Sequence, residues 1–232
     1  MFVTILVPVL ERPQHVTPLL ASIVENTPRG EVEVLFITDE TCKVEIGVIA
    51  QNQISLLGIL PTTLLIAPME VHSWSQRINY GIRESKGTPW VFCGADDIRF
   101  HPKWLEEAQY VMREPGGPLG IVGTNDLGHW GTQEGWHSTH FLANRRYIEE
   151  HGTIDGEKGK LLHEGYRHNF TDNECNATAQ KRGMRRHALS CHVEHMHPSW
   201  GKGAPDAVYG HGGEHWGDDR ALWDARRAKF ML

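Results

Sequence analysis

Two adjacent carboxylates, Asp96 and Asp97, follow directly after the apolar run Trp90–Cys93. Such a run predicts a buried strand, and ligands bind at the carboxyl ends of strands in an open α/β sheet. Hard divalent cations prefer oxygen ligands, so two acids at this edge can hold a cation that bridges phosphate oxygens. The other interpretation is that both side chains cap the helix expected over 103–113, or solvate a turn.

A second group of possible ligands lies near the end of the chain, where one residue separates His195 from His197. Alternate residues of an extended segment share a face, so both imidazoles point the same way and His192 points to the opposite face. Neutral imidazole is a good ligand for Mn²⁺ and similar ions. The alternative is a surface histidine cluster with structural hydrogen bonds.

The elements that position these groups follow from the apolar pattern. Val3–Val7 and Val32–Ile37 are typical of strands covered on both faces, and a helical pattern over Gln14–Asn26 separates them. Strand, helix, strand is the opening of a parallel sheet. We expect a turn over 86–89 and a loop over 114–118. The sequence therefore predicts an α/β fold with a central, mostly parallel sheet flanked by helices.

Length favours one domain, since 232 residues with 40% hydrophobic content can build a single large α/β core. We predict a catalytic domain over residues 1–200. The polar, Gly-rich segment 201–232 is expected to be an irregular tail or lid that packs on the same domain.

Composition argues against several kinds of partner. The formal net charge of −6 gives no uniform positive field for nucleic acid or an anionic membrane. The apolar stretch at the start has only about seven residues, too few for a membrane span. The four cysteines show neither CxxC spacing nor a disulfide framework, so we expect a reducing, cytoplasmic location.

Four segments, in this order, resemble the GT-A glycosyltransferases of the inverting, nucleotide-sugar-dependent kind (family 2-like), including small phage and bacterial members. They are the opening strand and loop Ile5–Pro13, the strand end Phe36–Asp39, the helix Trp74–Ile82 and the acidic Ala95–Asp97. The resemblance implies a GT-A (Rossmann-like) fold and the transfer of a sugar from a nucleoside-diphosphate sugar.

The resemblance also implies roles for single residues near the donor. The loop residues Pro8, Val9, Glu11 and Arg12 are expected to contact the nucleotide, and Asp39 the nucleobase. Asp39 can instead cap the following helix.

Arg77 lies on the helix that covers the donor in the family, where its planar guanidinium can pair with diphosphate oxygens, although it can also be a solvated helix residue. Ala95 departs from the family pattern, because it occupies the position of the first acid in a strict DxD motif. Metal binding must then depend on Asp97, with Asp96 nearer the donor ribose. His195 or His197 is expected to complete a site for Mn²⁺ or Mg²⁺.

The segment His163–Glu174 resembles the one that supplies the family's catalytic base. It implies that Asp172 removes the acceptor proton as the hydroxyl attacks the anomeric carbon, with Glu174 and His168 as substitutes. The alternative is that Asp172 is only the N-cap of the following helix.

The stretch 128–140 combines Gly, His and Trp, a mixture that stacks on sugar rings and binds their hydroxyls. We expect Trp136 and His137 to contact the acceptor or the donor sugar. Trp130 and Trp136 can equally anchor a long loop in the core.

These residues predict a metal-dependent glycosyltransferase that uses a UDP-, GDP- or dTDP-sugar, acts on a protein or glycan acceptor and inverts the anomeric centre. Two alternatives are a sugar-nucleotidyltransferase, disfavoured because the loop 8–13 has no glycine, and a carbohydrate-binding protein without turnover. A zinc hydrolase is disfavoured because HExxH is absent. The C-terminal segment is expected to act as a lid over the donor or as the arm of a homodimer.

Overall fold

The computed structural model describes residues 3–85, 87–114 and 119–231. The strands over these residues are β1 (Val3–Pro8), β2 (Val32–Thr38), β3 (Thr62–Ile66), β4 (Trp90–Cys93), β5 (Ile98–Phe100), β6 (Ile121–Asn125), β7 (Phe141–Asn144) and β8 (Arg185–His195). The helices are α1 (Pro13–Asn26), α2 (Lys43–Ser55), α3 (Trp74–Glu84), α4 (Trp104–Arg113), α5 (Trp130–Gln133), α6 (Arg145–Glu150), α7 (Thr171–Lys181), α8 (Ala207–Glu214) and α9 (Trp216–Arg226). The predicted turn over 86–89 and loop over 114–118 lie partly outside the described residues.

The strands form one mixed sheet in the order β3-β2-β1-β4-β7-β6-β8-β5. In the first half of the chain β1 pairs in parallel with β2 and β4, and β2 with β3; in the second half β6 pairs in parallel with β8. Antiparallel pairing enters through β7, between β4 and β6, and through β5, at the edge beside β8. The predicted α/β fold with a sheet flanked by helices is confirmed.

Helices cover both faces of the sheet because alternate side chains of β1 enter two separate cores. Ile5 and Val7 pack with buried residues of α1 and α4 on one face. Leu6 packs on the other face with residues of α3, α6 and α7. The carboxyl ends of β1 and β4 therefore lie at one edge between two rigid layers.

The segment after Trp200 differs from the irregular tail expected from the sequence, since α8 and α9 occupy most of it. Polar contacts hold it in place together with aromatic packing of Trp216 and Trp223 on Phe170. The carboxylate of Asp219 accepts the backbone N–H groups of residues 167–169 at 2.7 to 2.9 Å. The side chain of Asp206 accepts the Tyr209 N–H and caps α8. Such contacts leave no periodic signal in the sequence.

Candidate active site

A cavity of about 670 Å³ opens where β1 and β4 end. It lies at the sheet edge that the sequence predicts for the ligand site. Its lining includes most of the predicted site residues: Pro8, Arg12, Arg77, Asp96, Asp97, His137, Asp172, His195 and His197.

Asp97 is the most heavily engaged acid of this cavity, and its side chain is 3% exposed. Its Oδ2 atom lies 3.1 Å from Arg12 Nη1 and 3.5 Å from His195 Nε2, and it accepts the hydroxyl of Tyr209. Burial raises the pKa of Asp97, but the contacts with His195, Tyr209 and Arg12 outweigh burial and hold it well below its ordinary value. Asp97 is therefore an anion, and its buried Oδ1 atom has no hydrogen-bond partner.

Asp96 is also buried but responds in the opposite direction. Burial and the neighbouring charge of Asp97 raise its pKa well above the ordinary range. Arg12 Nη1 lies 3.4 Å from Asp96 Oδ1. Of the two acids, Asp97 is thus the better ligand for a cation.

Pairing between β5 and β8 explains why His195 lies beside Asp97. The register places His195 opposite Ile98, the residue after Asp97, and the backbone N–H of Met196 donates to the Asp97 carbonyl at 2.8 Å. Residues opposite each other on paired strands are neighbours whatever their distance in the chain.

His197 continues from His195 on the same side, with the two ring centroids 5.0 Å apart. Its Nδ1 atom accepts the Ser199 N–H at 3.1 Å, which leaves Nε2 for another partner. Burial and the neighbouring His195 lower the pKa of His197 to about 4, so the ring is neutral near pH 7. His192 lies away from both, against His101.

A carboxylate with one unpartnered buried oxygen beside two imidazoles has the donor chemistry of a site for Mn²⁺ or a similar ion. The side chains of the three predicted ligands, Asp97, His195 and His197, are adjacent. Their possible ligand atoms do not converge on one point while Arg12 and Tyr209 contact Asp97. Among the described residues, another group of possible metal ligands is closer together. Its members are Asp155, Glu157 and His163, whose ligand atoms all lie within 4.8 Å of one another. That cluster is an exposed ion-pair group, because Arg226 and Lys229 bind Asp155 at 2.6 Å.

Helix α8 and its N-cap contact this site through two residues, Tyr209 and Asp206, that the sequence analysis did not single out. Arg12 Nε and Nη2 each donate to the carboxylate of Asp206 at 2.8 Å. The guanidinium carbon lies 4.0 Å from the ring centroid of Tyr209, which also contacts the His197 ring at 4.5 Å. Asp206 and Tyr209 belong to no motif and are distant in sequence, so only the fold places them here.

The predicted base, Asp172, lies on another wall of the cavity at the start of α7. Its Oδ2 atom lies 3.2 Å from His137 Nε2, and Oδ1 accepts the Asn173 N–H at 2.9 Å. Burial raises the pKa of Asp172, but contact with His137 has the opposite effect, and the net shift is downward. The N-cap of α7 is Phe170, which argues against a purely capping role for Asp172.

Of the two substitutes for Asp172, only His168 lines the cavity. Glu174 is buried in a separate contact, where Arg226 donates to it at 2.6 and 2.8 Å and the Tyr166 hydroxyl at 2.8 Å. A carboxylate held in this way is structural.

The model of the family described as glycosyl transferase family 2 matches residues 4–193 of the chain. The chain belongs to this family. The protein is therefore a member of a glycosyltransferase family, and its fold is GT-A, as the resemblance in its sequence implies. No curated protein sequence matches it.

Solved structures similar to this glycosyltransferase share its fold at low identity. The mannosyltransferase PcManGT from Pyrobaculum calidifontis, in complex with GDP-Man and Mn²⁺, has 16% identity and a TM-score of 0.64 over 86% of this chain and 58% of that chain. TarS 1–349 from S. aureus with UDP has 13% identity and a TM-score of 0.60 over 83% and 59%. Glucosyl-3-phosphoglycerate synthase from Mycobacterium tuberculosis, with Mn²⁺, UDP and phosphoglyceric acid, has 13% identity and a TM-score of 0.57 over 91% and 74%. The chain thus spans less than two thirds of the length of the first two of these proteins.

In this glycosyltransferase, Arg77 and Asp39 form an internal pair, with Arg77 Nη2 donating to Asp39 Oδ2 at 2.7 Å. Burial raises the pKa of Asp39, but hydrogen bonds from Thr41 and Arg77 outweigh burial and lower it to about 2. Arg77 lines the cavity, whereas Asp39 lies behind it. The Nε and Nη1 atoms of Arg77 are buried without a hydrogen-bond partner, so this side chain still has donors for an anion.

Three other predicted contacts lie outside the cavity lining. Val9 is fully buried in the core, and Glu11 is exposed in a left-handed conformation with φ of 55°. Trp136 is half-exposed at the rim, where its ring centroid lies 5.9 Å from that of His137.

His140 is a further cavity residue that the sequence did not single out. Its ring centroid lies 5.0 Å from that of His195, and its buried Nε2 atom has no hydrogen-bond partner. Burial and the neighbouring His195 lower its pKa to about 4. The apolar residues that follow His140 predict a strand, and nothing in that pattern indicates a role for the imidazole that precedes it.

Proposed function

We propose that this glycosyltransferase depends on a divalent metal and moves a sugar, with inversion, from a nucleoside-diphosphate sugar to an acceptor hydroxyl. The observation that carries the proposal is one cavity that contains both Asp97, beside two imidazoles, and Asp172. Two of the similar structures contain Mn²⁺ together with GDP-Man or UDP, which supports the same interpretation.

Asp97, His195 and His197 would hold the cation, either Mn²⁺ or Mg²⁺. When bound, the cation supplies positive charge that stabilises the leaving diphosphate. Arg12 and Tyr209 contact the Oδ2 atom of Asp97 in this structure, so a metal that binds this oxygen must displace both, whereas Oδ1 has no hydrogen-bond partner. Arg77 is suited to bind phosphate oxygens through its two unpartnered N–H groups.

Asp172 would act as general base. The acceptor oxygen forms the new bond to the anomeric carbon, the bond from that carbon to the diphosphate oxygen breaks with its electron pair, and the acceptor proton passes to Asp172. A low pKa keeps Asp172 ionised and able to accept this proton. A base on the acceptor side is what single-displacement inversion requires.

Location and assembly remain proposals of the same kind. All four cysteines are buried and free, which supports a reducing, cytoplasmic compartment. Among the residues that the structure describes, no helix has the length and apolar content to cross a membrane. A homodimer through the C-terminal segment stays a prediction.

The proposal is tested by melting temperature against UDP, GDP, CDP, dTDP and their sugars, each with and without Mn²⁺. A ligand at a hundred times its Kd stabilises the folded state by about 2.7 kcal/mol, which corresponds to a shift of about 5–10 °C for a domain of this size. We expect one nucleotide to give such a shift only with Mn²⁺.

Asp97→Asn should abolish the shift, while Asp224→Asn, an exposed change on α9, should retain it. A shift that needs no metal, or one that survives Asp97→Asn, would contradict the metal site.

A further inference from the structure

Two tryptophans are exposed at the rim of the cavity. Trp130 is 64% and Trp136 is 49% exposed, and their rings meet edge to face with centroids 4.7 Å apart. We call this pair the indole platform. Large aromatic side chains are rarely left in water as a contiguous surface unless they bind something.

The loop that carries the indole platform is firmly anchored. The Gly131 carbonyl accepts the N–H groups of Trp136 and His137, each at 3.1 Å. The Trp136 ring packs so closely on Gly131 that a Cβ atom there would lie 2.5 Å from it. The platform is therefore held in place by its own backbone.

A buried polar network fixes the same loop to the rest of the domain. Arg185 donates to the Gly135 carbonyl at 2.9 Å and to the Ser138 hydroxyl at 3.2 Å. Its Nε donates to Asn176 of α7 at 2.9 Å, and His187 Nε2 lies 2.7 Å from the Thr132 carbonyl. A surface fixed in this way loses little conformational entropy on binding a ligand.

The indole platform lies on the side of the cavity that contains the base. His129 connects the two, with its ring centroid 5.9 Å from Trp136 and 5.0 Å from His137. His137 in turn contacts Asp172. A molecule on the platform is thus separated from the predicted base, Asp172, by the His137 ring.

We propose that the indole platform binds the acceptor and that the acceptor is a carbohydrate. The C–H face of a sugar ring packs on an indole, and its hydroxyls remain at the ring edge, free to bind polar side chains. Gln133 and Glu134, on the same loop as the two tryptophans, are exposed. This inference rests on the proposed function, since it places the acceptor beside Asp172.

The size of the platform favours a sugar over a protein partner. Each aromatic side chain buries at most about 250 Å², so two of them fall well short of the roughly 800 Å² per partner in a stable protein interface. The same arithmetic disfavours a second copy of the chain at this surface.

The experiment is saturation-transfer NMR with methyl glycosides of glucose, galactose, mannose and N-acetylglucosamine, added without donor or metal. We expect at least one glycoside to receive saturation from the wild-type protein. Binding should weaken about ten-fold or more in the double variant Trp130→Ala, Trp136→Ala. Tyr110→Ala removes another exposed aromatic side chain, on α4, and should change nothing.

Two controls separate this proposal from the proposed function. The double variant should keep the metal-dependent nucleotide shift, because the platform does not touch the predicted metal ligands. Unchanged saturation transfer in the double variant, or none with wild type, overturns the carbohydrate assignment. A sedimentation mass that rises with concentration in wild type but not in the double variant overturns it in favour of a dimer interface.

Discussion

Asp172 and His137 are in contact, and we expect each of them to affect transfer in a different way. In Asp172→Asn the side chain keeps its shape but cannot take up a proton. Loss of a general base lowers rates by about 10²- to 10⁴-fold. We expect the transfer rate to fall within that range while the nucleotide-induced shift in melting temperature persists. A variant with unaltered transfer would show that another group of the cavity, such as His168, is the base.

The acid limb of the pH profile should depend on His137. Burial alone raises the pKa of Asp172, and contact with His137 brings it below the ordinary value. His137→Phe removes that contact, so protonation of Asp172 should begin at higher pH. We expect transfer to be lost at higher pH in the variant than in wild type, with rates above neutrality less affected.

Initial rates from pH 4 to 8 test this expectation. His140 and His168 also face Asp172, so His168→Phe is the matched comparison for a general change of charge. If both variants keep the wild-type acid limb, the pair does not set the ionisation of the base.

The sequence could single out residues whose type already carries the chemistry. Asp97 follows a predicted strand, His195 belongs to a pair of histidines one residue apart, and Asp172 lies in a segment that resembles the family. The fold brings all three to one cavity. Tyr209 and Asp206 could not be chosen, because a phenol and a carboxylate in a polar segment have many ordinary roles. Val9 and Glu11 were selected by the loop they occupy, which does not determine where their side chains point.

At the scale of elements, the position of α8 controls access to Asp97. Tyr209 donates to the Asp97 carboxylate, and hydrogen bonds to charged groups contribute about 1.5–3 kcal/mol. Tyr209→Phe removes that bond but keeps the ring that packs against Arg12. Since a factor of ten in affinity corresponds to 1.4 kcal/mol, we expect Mn²⁺ to bind about ten-fold more tightly.

Titration calorimetry with Mn²⁺, in the presence of the nucleotide that gives the thermal shift, measures this change. Tyr110→Phe, at an exposed position on α4, is the control. Unchanged or weaker Mn²⁺ binding in Tyr209→Phe would mean that α8 does not compete with the metal.

The elements themselves were predictable where apolar pattern decides them. The strand Trp90–Cys93 has the predicted bounds, and the predicted helix over 14–26 begins one residue earlier, at Pro13. The three-residue β5 is too short to give a pattern of its own, yet its pairing with β8 positions His195. Helices α8 and α9 were not predicted, because caps, ion pairs and a few aromatic contacts hold them rather than a periodic apolar face.

At the scale of the whole molecule, the C-terminal helix α9 is tied to the core by charge. Arg226 is 8% exposed and donates to Glu174, which is 3% exposed. Removing one partner of a buried pair leaves an uncompensated charge and costs about 3–5 kcal/mol. We expect Arg226→Met to lower the free energy of unfolding by this amount, measured by urea denaturation.

The matched control is Arg220→Met on the same helix. Its pair with Asp224 is exposed, and such pairs contribute at most about 1 kcal/mol. Equal effects of the two variants would contradict a structural role for Glu174 and would reopen its candidacy as a base. The packing of residues 201–232 on the catalytic domain stays a prediction until this is measured.

Arg12 gives the acidic pair Asp96 and Asp97 a counter-ion that belongs to the chain itself. Metal binding at Asp97 is then an exchange of one cation for another, and the measured metal affinity is a difference between two ion pairings. Arg12 compensates the buried charge of Asp97 without a metal, so we expect the fold not to depend on the metal supply. A chelator should accordingly switch off transfer without unfolding the enzyme.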